Sequence, residues 1–210
     1  MSESVQKSRR SRKPEARPYR KQARARQEAE TRRRITEATV ELHREVGPAR
    51  TTISAVAERA GVQRLTVYRH FPEEADLIGA CSAHWRAAHP IPDPVPWRAI
   101  GDPEERLRTA LGELYAYYGS DDAMIANIQR DAPAMPVLAA TVADRGAYMG
   151  AVHELLMRGW GARGRRRALL AAAVGHALAF GTWRSLVREQ GLALEDAADL
   201  MVRAARAAAS

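Results

Sequence analysis

Apolar residues recur at steps of three and four along most of the chain, which is the pattern of amphipathic α-helices. Ile35, Ala38, Leu42 and Val46 fall on one face of a first helix, which Gly47-Pro48 ends. No segment alternates apolar and polar residues over a useful length, so no strand is expected. The pattern therefore predicts an all-α fold.

Two short helices follow, over residues 52–60 and 63–70, with Gly61 at the turn between them. Thr52 can cap the first of these helices at its N-terminus. Pro72 ends the second, because the residue before a proline is disfavoured in the helical conformation. This arrangement predicts a helix-turn-helix.

A further helix is predicted from about Glu73 to Ala88, and proline then occupies every second position from Pro90 to Pro96. Alternating prolines cannot be helical, so we place a domain boundary there. Five more helices are predicted beyond it, over residues 103–118, 121–130, 134–158, 166–190 and 194–208. The predicted domains are a basic arm (1–26), a helix-turn-helix domain (27–89) and a C-terminal helical domain (90–210).

Positive charge is concentrated at the N-terminus. Residues 1–26 hold ten Lys and Arg against two acids, and so carry the whole formal net charge of +8. They lack apolar periodicity, which predicts a disordered arm that binds nucleic acid phosphates; a solvated charge run without a partner is the alternative. The arm has no apolar core of a secretory signal, and the longest apolar stretch, residues 168–178, is too short to span a bilayer.

The remaining composition argues against several classes of protein. A single cysteine, Cys81, cannot form an intramolecular disulfide and fits the reducing cytosol, so we expect a cytoplasmic, nucleoid-associated protein. The chain has no phosphate-binding loop, nucleophile elbow or metal-ligand spacing. The prediction is a protein that is not an enzyme and needs neither a cofactor nor a metal.

The second short helix carries side chains that suit DNA. Their hydrogen-bonding groups can reach phosphates and base edges, and a helix of this size fits the major groove. A helical hairpin used only for packing is the alternative. The side chains concerned are Gln63, Arg64, Thr66, Tyr68 and Arg69.

The same stretch resembles the TetR family of repressors. The matching residues are Thr51-Thr52, Val56-Ala57, Ala60-Gly61-Val62 and the run from Thr66 to Pro72. The resemblance covers roughly residues 30–80; over 100–210 only the helix pattern matches. It implies a nine-helix homodimer that binds double-stranded DNA at a palindromic operator, and repression that a small ligand relieves from the C-terminal domain.

Carried over residue by residue, the resemblance implies phosphate contacts for Thr52, Tyr68 and His70. It implies base contacts for Gln63, Arg64 and Thr66. Two positions depart from the family pattern. Gln63 stands where a Ser or Thr usually caps the recognition helix, so either the helix start is looser or Gln63 contacts a base. Glu74 stands where a phosphate-binding Lys is frequent, and we expect the basic arm to replace that contact.

Small residues form stripes on two C-terminal helices, as a close helix–helix interface requires. We expect a four-helix dimer interface with a partner subunit, although packing within one subunit is an open alternative. The stripes are Ala168, Ala172, Gly175, Ala179 and Thr182 on the first helix, and Leu194, Ala197, Met201, Ala204 and Ala208 on the second.

Aromatic and polar groups stand in apolar surroundings in the C-terminal domain, which is typical of a small-molecule site. The expected ligand-binding residues are Tyr115, Tyr118, Gln129, Arg130, Tyr148, Met149, His153 and Trp183. Each of these could instead be an ordinary core residue. The basic segment 163–167 is interpreted as a solvated loop.

These observations favour a transcriptional repressor that a small-molecule effector releases from DNA. A constitutive DNA-binding or architectural protein without an effector is the main alternative. Binding to a membrane or to acidic proteins through the basic arm is another.

Overall fold

The computed structural model describes residues 16–210, with side chains from residue 19 onward. Within that range the chain forms ten α-helices and no strand, which confirms the all-α prediction. The helices are α1 (Ala16–Glu45), α2 (Ile53–Ala60), α3 (Arg64–His70), α4 (Glu74–Ala88), α5 (Pro103–Ser120), α6 (Asp122–Asp131), α7 (Pro136–Leu156), α8 (Gly164–Leu178), α9 (Phe180–Trp183) and α10 (Leu194–Ala209).

Helix α1 extends into the predicted basic arm. Residues 16–26, which we expected to be disordered, are helical. Alanine, arginine, lysine and glutamine are strong helix formers, and Arg24 pairs with Glu28 one turn later at 3.1 Å. Positive charge thus did not prevent helix formation here. The rest of the predicted arm, residues 1–15, lies outside the described residues.

The first hydrophobic core joins α1 to the helix-turn-helix. Ile35, Ala38 and Leu42 are buried on one face of α1, as the apolar spacing predicted. Val46 follows the end of α1 and is exposed, because the chain turns away there. The part of the chain from α2 to α4 completes this core with six buried residues: Val56, Ala57, Ala60, Val67, Phe71 and Leu77.

A second core fills the C-terminal domain, and α1 and α4 also contribute to it. Val40, Cys81 and Trp85 face this second cluster, away from the first. Both helices therefore contact the two cores at once, and the proline-rich connection after Ala88 separates the domains only along the chain.

The helix predicted over residues 166–190 is divided, so the number of α-helices in residues 16–210 is ten rather than nine. Helix α8 ends at Leu178, Ala179 is extended, and α9 continues into a π-helix at Arg184–Glu189. The hydroxyls of Tyr115 and Tyr118 donate hydrogen bonds to the carbonyls of Ala177 and Leu178, at 2.9 and 2.6 Å. Because these side chains satisfy the last carbonyls of α8, the helix can end in the core at no hydrogen-bonding cost. None of the helices over residues 16–210 is long and apolar enough to cross a membrane.

Candidate DNA interface and ligand cavity

Local hydrogen bonds fix the helix-turn-helix. The Thr52 hydroxyl oxygen accepts a hydrogen bond from the backbone N–H of Ala55 at 3.1 Å and caps α2, as predicted. Gly61 ends α2 in the left-handed conformation, with φ 64°, which a residue with a side chain adopts only at a cost. The turn is therefore short and defined, and it sets the direction in which α3 leaves.

Helix α3 presents a polar face to solvent. Val67 is fully buried beneath it, so the opposite side of the helix must point outward. Thr66 and His70 are partly buried at the edges of this face. The exposed side chains are Gln63, Arg64, Leu65, Tyr68 and Arg69.

Two of these positions add to what the sequence indicated. Gln63 is the N-cap residue of α3, but its side chain makes no capping hydrogen bond, so its amide is available to a partner. Leu65 is 77% exposed at the centre of the face, and sequence reasoning did not single it out. A large apolar side chain so placed can contact a thymine methyl group.

Arg32 of α1 holds the C-terminal end of α3. Its guanidinium donates a hydrogen bond to the carbonyl of His70 and lies 4.0 Å from the centre of the Phe71 ring. Burial, and then the charges of Arg69 and Arg32, lower the pKa of His70. The neutral form of the His70 imidazole is thereby favoured, and it can still donate one N–H.

Several arginines near this surface are already paired with acids. Arg33 bridges Glu30 and Glu37, and Arg59 bridges Glu41 and Glu45. Glu74, in the first turn of α4, is exposed beside the predicted DNA surface. The basic residues that could offset it include Arg20, Lys21 and Arg26, which are exposed on the N-terminal extension of α1.

A buried aspartate connects the two domains. Asp121 accepts hydrogen bonds from Arg44 of α1 at 2.8 Å and from the indole N–H of Trp85 of α4 at 2.7 Å. Burial opposes ionisation, but the hydrogen bonds from Arg44 and Trp85 outweigh it and lower the pKa of Asp121. The charged carboxylate thus ties α1 and α4 to the start of α6.

The C-terminal end of α6 makes a second connection. The Asn127 amide donates to the carbonyls of His43 and Arg44, and Asp131 accepts from the backbone N–H of Ala49 at 3.0 Å. Gly47 has a φ of 93°, which a residue with a side chain adopts only at a cost, and a Cβ there would displace the ends of Arg130 and Asp131. Polar contacts at the start, middle and end of α6 therefore hold this helix against the C-terminal end of α1 and the turn after it.

A cavity of about 750 Å³ lies between α4, α6 and α7. Its size is in the range of small-molecule sites, and its walls are mostly apolar. Tyr148, whose hydroxyl donates to the carbonyl of Pro92 at 2.7 Å, fixes α7 to the interdomain connection at one side. The principal wall residues are Trp85, Tyr117, Met124, Ile125, Leu138, Val142, Tyr148 and Met149.

The cavity wall includes some of the expected ligand-binding residues and not others. Gln129, Tyr148 and Met149 line it. Tyr115, Tyr118 and Trp183 are instead buried in the core, where the two tyrosines bond to the end of α8. Arg130 pairs with Asp131, and the His153 ring lies against the carbonyl of Ala171 beside a separate hollow.

Sequence reasoning missed the contribution of α4 and of Tyr117 to the cavity. Trp85, Cys81 and Ser82 line it from α4, which the sequence assigned wholly to the DNA-binding domain. Tyr117 lies between Tyr115 and Tyr118 in sequence but points in a different direction around the helix, since successive residues are about 100° apart, so only Tyr117 faces the cavity. The apolar spacing of four residues between Cys81 and Trp85 was the available signal.

Two titratable groups in the cavity are electrically neutral. Burial lowers the pKa of His43 to about 4 and raises the pKa of Cys81 to about 12. The Cys81 sulfur lies 3.5 Å from the His43 Nδ1. A protonated thiol beside a neutral imidazole is not an activated nucleophile, so this pair belongs to the wall of the cavity.

The stripe of small residues on α8 faces outward. Ala168, Ala172, Gly175 and Ala179 are exposed, whereas the apolar flank of α8 packs inward against α10. Thr182 of the same predicted stripe is buried and donates to the carbonyl of His176. On α10 the predicted stripe is neither uniformly buried nor uniformly exposed, since Ala197 is buried and Ala204 is exposed. Arg163 and residues 165–167 are exposed, but α8 already begins at Gly164.

Comparison with known proteins shows what this arrangement is similar to. Residues 35–81 match the family model "Bacterial regulatory proteins, tetR family". A TetR-like transcriptional regulator from Rhodococcus sp. RHA1 has a similar structure, with a TM-score of 0.61 and 20% identity over 83% of this chain and 93% of that one. No curated protein matches the chain by sequence.

Two further solved structures share the fold. A Clostridium perfringens protein proposed to regulate fatty acid metabolism has a TM-score of 0.58 and 15% identity, over 83% of this chain and 97% of that one. A TetR transcription regulator from Haloarcula marismortui has a TM-score of 0.54 and 19% identity, over 85% and 98%. These matches confirm the resemblance and the helical fold that the sequence predicted.

Proposed function

We propose that this chain, which combines a TetR-family DNA-binding region with a TetR-like helical fold, is a homodimeric regulator that represses transcription until a small-molecule effector releases it from DNA. The observation that supports DNA binding most directly is the exposed polar face of α3, held at a fixed angle by the Thr52 cap and Gly61. A seven-residue helix presented in this way fits the major groove.

The proposed contacts divide into two kinds. Gln63, Arg64 and Thr66 lie at the start of α3, which enters the groove first, and contact bases. Tyr68, Arg69 and His70 follow at its end and contact phosphates. Thr52 caps α2 with its oxygen lone pair, so its hydroxyl proton is free to bond a phosphate as well.

The proposed dimer interface is the outward face of α8 together with the neighbouring exposed part of α10. Exposed small residues allow two helices to approach closely, and two copies of the α8–α10 pair would form a four-helix interface. A dimer would present two copies of α3 to paired half-sites on DNA, which explains the expectation of a palindromic operator.

Release by an effector is supported by the position of the cavity. Helix α4 supplies one wall of it and begins four residues after the end of α3. A ligand that binds one position of α4 more tightly than another would shift α3 with it. A fully packed C-terminal core would favour the constitutive DNA-binding protein instead, and the cavity argues against that alternative.

The test is selection of bound duplexes from a random DNA pool, followed by fluorescence anisotropy titration of the selected sequence at several salt concentrations. We expect a palindromic consensus that binds one dimer and outcompetes random DNA by at least about 10³-fold. Enrichment of no sequence, with binding that disappears as salt rises, would leave only non-specific charge attraction and contradict the proposal.

A further inference from the structure

A guanidinium without a carboxylate partner lines the cavity. Arg145 of α7 is partly buried, and its Nη1 donates a hydrogen bond to the hydroxyl of Tyr117 at 2.7 Å. Its charge lies 5.1 Å from the centre of the Tyr117 ring and 5.9 Å from that of Tyr118. Within residues 19–210 no acid lies within ion-pair distance of it.

The other charges at the cavity leave it with a positive balance. Arg86 lines it at the exposed rim, and His43 is neutral. Among the residues that the structure describes, Asp144 is the one acid in the wall, and it is exposed. The nearby carboxylate of Asp121 is already bound to Arg44 and Trp85. The cavity thus combines the guanidinium of Arg145, which has no carboxylate partner within residues 19–210, with a largely apolar interior.

These features disfavour other ligand classes. A cationic ligand would find its one wall carboxylate among the described residues, Asp144, exposed to solvent and next to Arg145 in the chain, and Arg145 already covers the Tyr117 ring. A dianion such as a phosphate ester would face one inner guanidinium and the repulsion of Asp144. A neutral hydrocarbon would leave Arg145 desolvated without a partner, which is costly.

We propose that the cavity binds an amphiphilic monocarboxylate, with its carboxylate paired to Arg145 and its apolar body among Trp85, Met124, Ile125, Leu138 and Met149. A planar guanidinium can hold both oxygens of a carboxylate, and such charge-assisted pairs are strong where water is excluded. This ligand class rests on the proposed function, because it names the effector of that same cavity.

The experiment compares three ligands that differ only in the head group: octanoate, octanol and octyltrimethylammonium. Each is titrated into the full chain by isothermal calorimetry at pH 7, below its micelle or solubility limit. We expect octanoate to bind at least about tenfold more tightly than the other two, since a buried charge-assisted pair is strong. Decanoate, with two more methylenes, should bind roughly fifteenfold more tightly than octanoate, since each added buried methylene contributes about fourfold.

Variants locate the head group. Arg145→Gln should abolish the preference for octanoate over octanol and leave octanol affinity within about twofold, whereas Arg145→Lys, which keeps the charge, should retain most of the preference. The matched control is Arg98→Gln, at an exposed arginine outside the cavity wall, and it should keep the wild-type preference. Equal binding of all three ligands, tightest binding of the ammonium compound, or binding of none would overturn the proposal.

Operator binding is measured on the same samples, so the two proposals fail separately. Sequence-specific DNA binding with no preference for octanoate would overturn the ligand class and leave the regulator intact. An octanoate preference that depends on Arg145, in a protein that selects no DNA sequence, would support the ligand class and contradict the regulator.

Discussion

At the scale of single residues, we propose that the face of α3 separates side chains that discriminate bases from side chains that supply affinity. Arg64 stands at the start of the helix, where it can reach a guanine edge with two hydrogen bonds. Tyr68 is about half exposed one turn later and presents one hydroxyl, which suits a phosphate. Neither is buried enough to matter for folding, so their roles can be tested without loss of stability.

Arg64→Ala should relax sequence preference, whereas Tyr68→Phe should weaken binding to all sequences. We expect Arg64→Ala to cost about 1–3 kcal/mol on the selected operator and much less on random DNA. Tyr68→Phe should lower both affinities by a similar factor. Anisotropy titration on the two duplexes measures this, and equal losses for Arg64→Ala on both would refute its role in base recognition.

Leu65 is expected to contact a thymine methyl group. Leu65→Ser should lower discrimination at one thymine of the operator, by about threefold to tenfold, because it removes an apolar contact. Since Leu65 is exposed, its replacement should change the free energy of unfolding by less than about 0.5 kcal/mol. The control is its buried neighbour: Val67→Ala should destabilise the fold by roughly 1–3 kcal/mol. An unaltered operator preference in Leu65→Ser would contradict the contact.

At the scale of elements, α6 connects the cavity to α1 and α4 through polar groups rather than through apolar packing alone. The Asp121 carboxylate and the Asn127 amide bind atoms of α1 that are 77 and 84 residues away in the chain. Such connections can be broken and made again at modest cost, as a change of helix position requires.

Asp121→Asn should weaken this connection. Without the charge, the Arg44 and Trp85 hydrogen bonds have a weaker acceptor, so we expect the free energy of unfolding by urea at pH 7 to fall by about 1–3 kcal/mol. Because the folded pKa of Asp121 is lowered, the difference from wild type should shrink as the pH falls below about 4. The adjacent Asp122→Asn breaks only an exposed pair with Arg188 and should cost under about 1 kcal/mol. Equal effects of the two variants would argue against the Asp121 connection.

His43 should make the stability of the protein depend on pH. Its pKa is about 4 in the fold and 6.5 when unfolded, so between these values the unfolded state binds the proton. The contribution of neutral His43 to the free energy of unfolding is therefore complete above about pH 6.5. It decreases by up to about 3 kcal/mol as the pH falls towards 4. His43→Asn should remove this part of the pH dependence. Urea titrations from about pH 7 to pH 4.5 measure the difference, and parallel wild-type and variant profiles would show that His43 does not titrate as inferred.

At the scale of the whole molecule, the net positive charge lies in the first 26 residues, whereas the two hydrophobic cores are formed by the rest of the chain. The ten basic residues of the first 26 divide equally between residues 1–15 and the helical segment 16–26. The segment 16–26 is the N-terminal part of α1, whose other end joins both cores, so the backbone that carries its charges is continuous with the folded domains.

Truncation of the arm should weaken operator binding and reduce its dependence on salt. Removing one phosphate interaction lowers the slope of log affinity against log salt concentration by roughly 0.9. A chain that starts at residue 27 should show a smaller slope than one that starts at residue 16, and the consensus sequence should stay the same. An unchanged slope in both chains would show that the arm does not replace the phosphate contact missing at Glu74.

The sequence alone determined what depends on neighbours in the chain. The all-α class, the helix-turn-helix, its cap at Thr52 and its turn at Gly61 follow from spacing, capping and backbone preference, which act over a few residues. For the same reason the resemblance at residues 51–72 pointed to the family whose model matches residues 35–81.

Only the tertiary structure decided which side chains meet at the cavity. Tyr115, Tyr117 and Tyr118 are alike in sequence, but one faces the cavity and two bond to the end of α8. Likewise Trp85 and Arg145 became cavity residues, and α8 ended at Leu178, through contacts between residues distant in the chain. Helical spacing says which residues share a face, but what that face meets depends on how the helices pack, which no local pattern encodes.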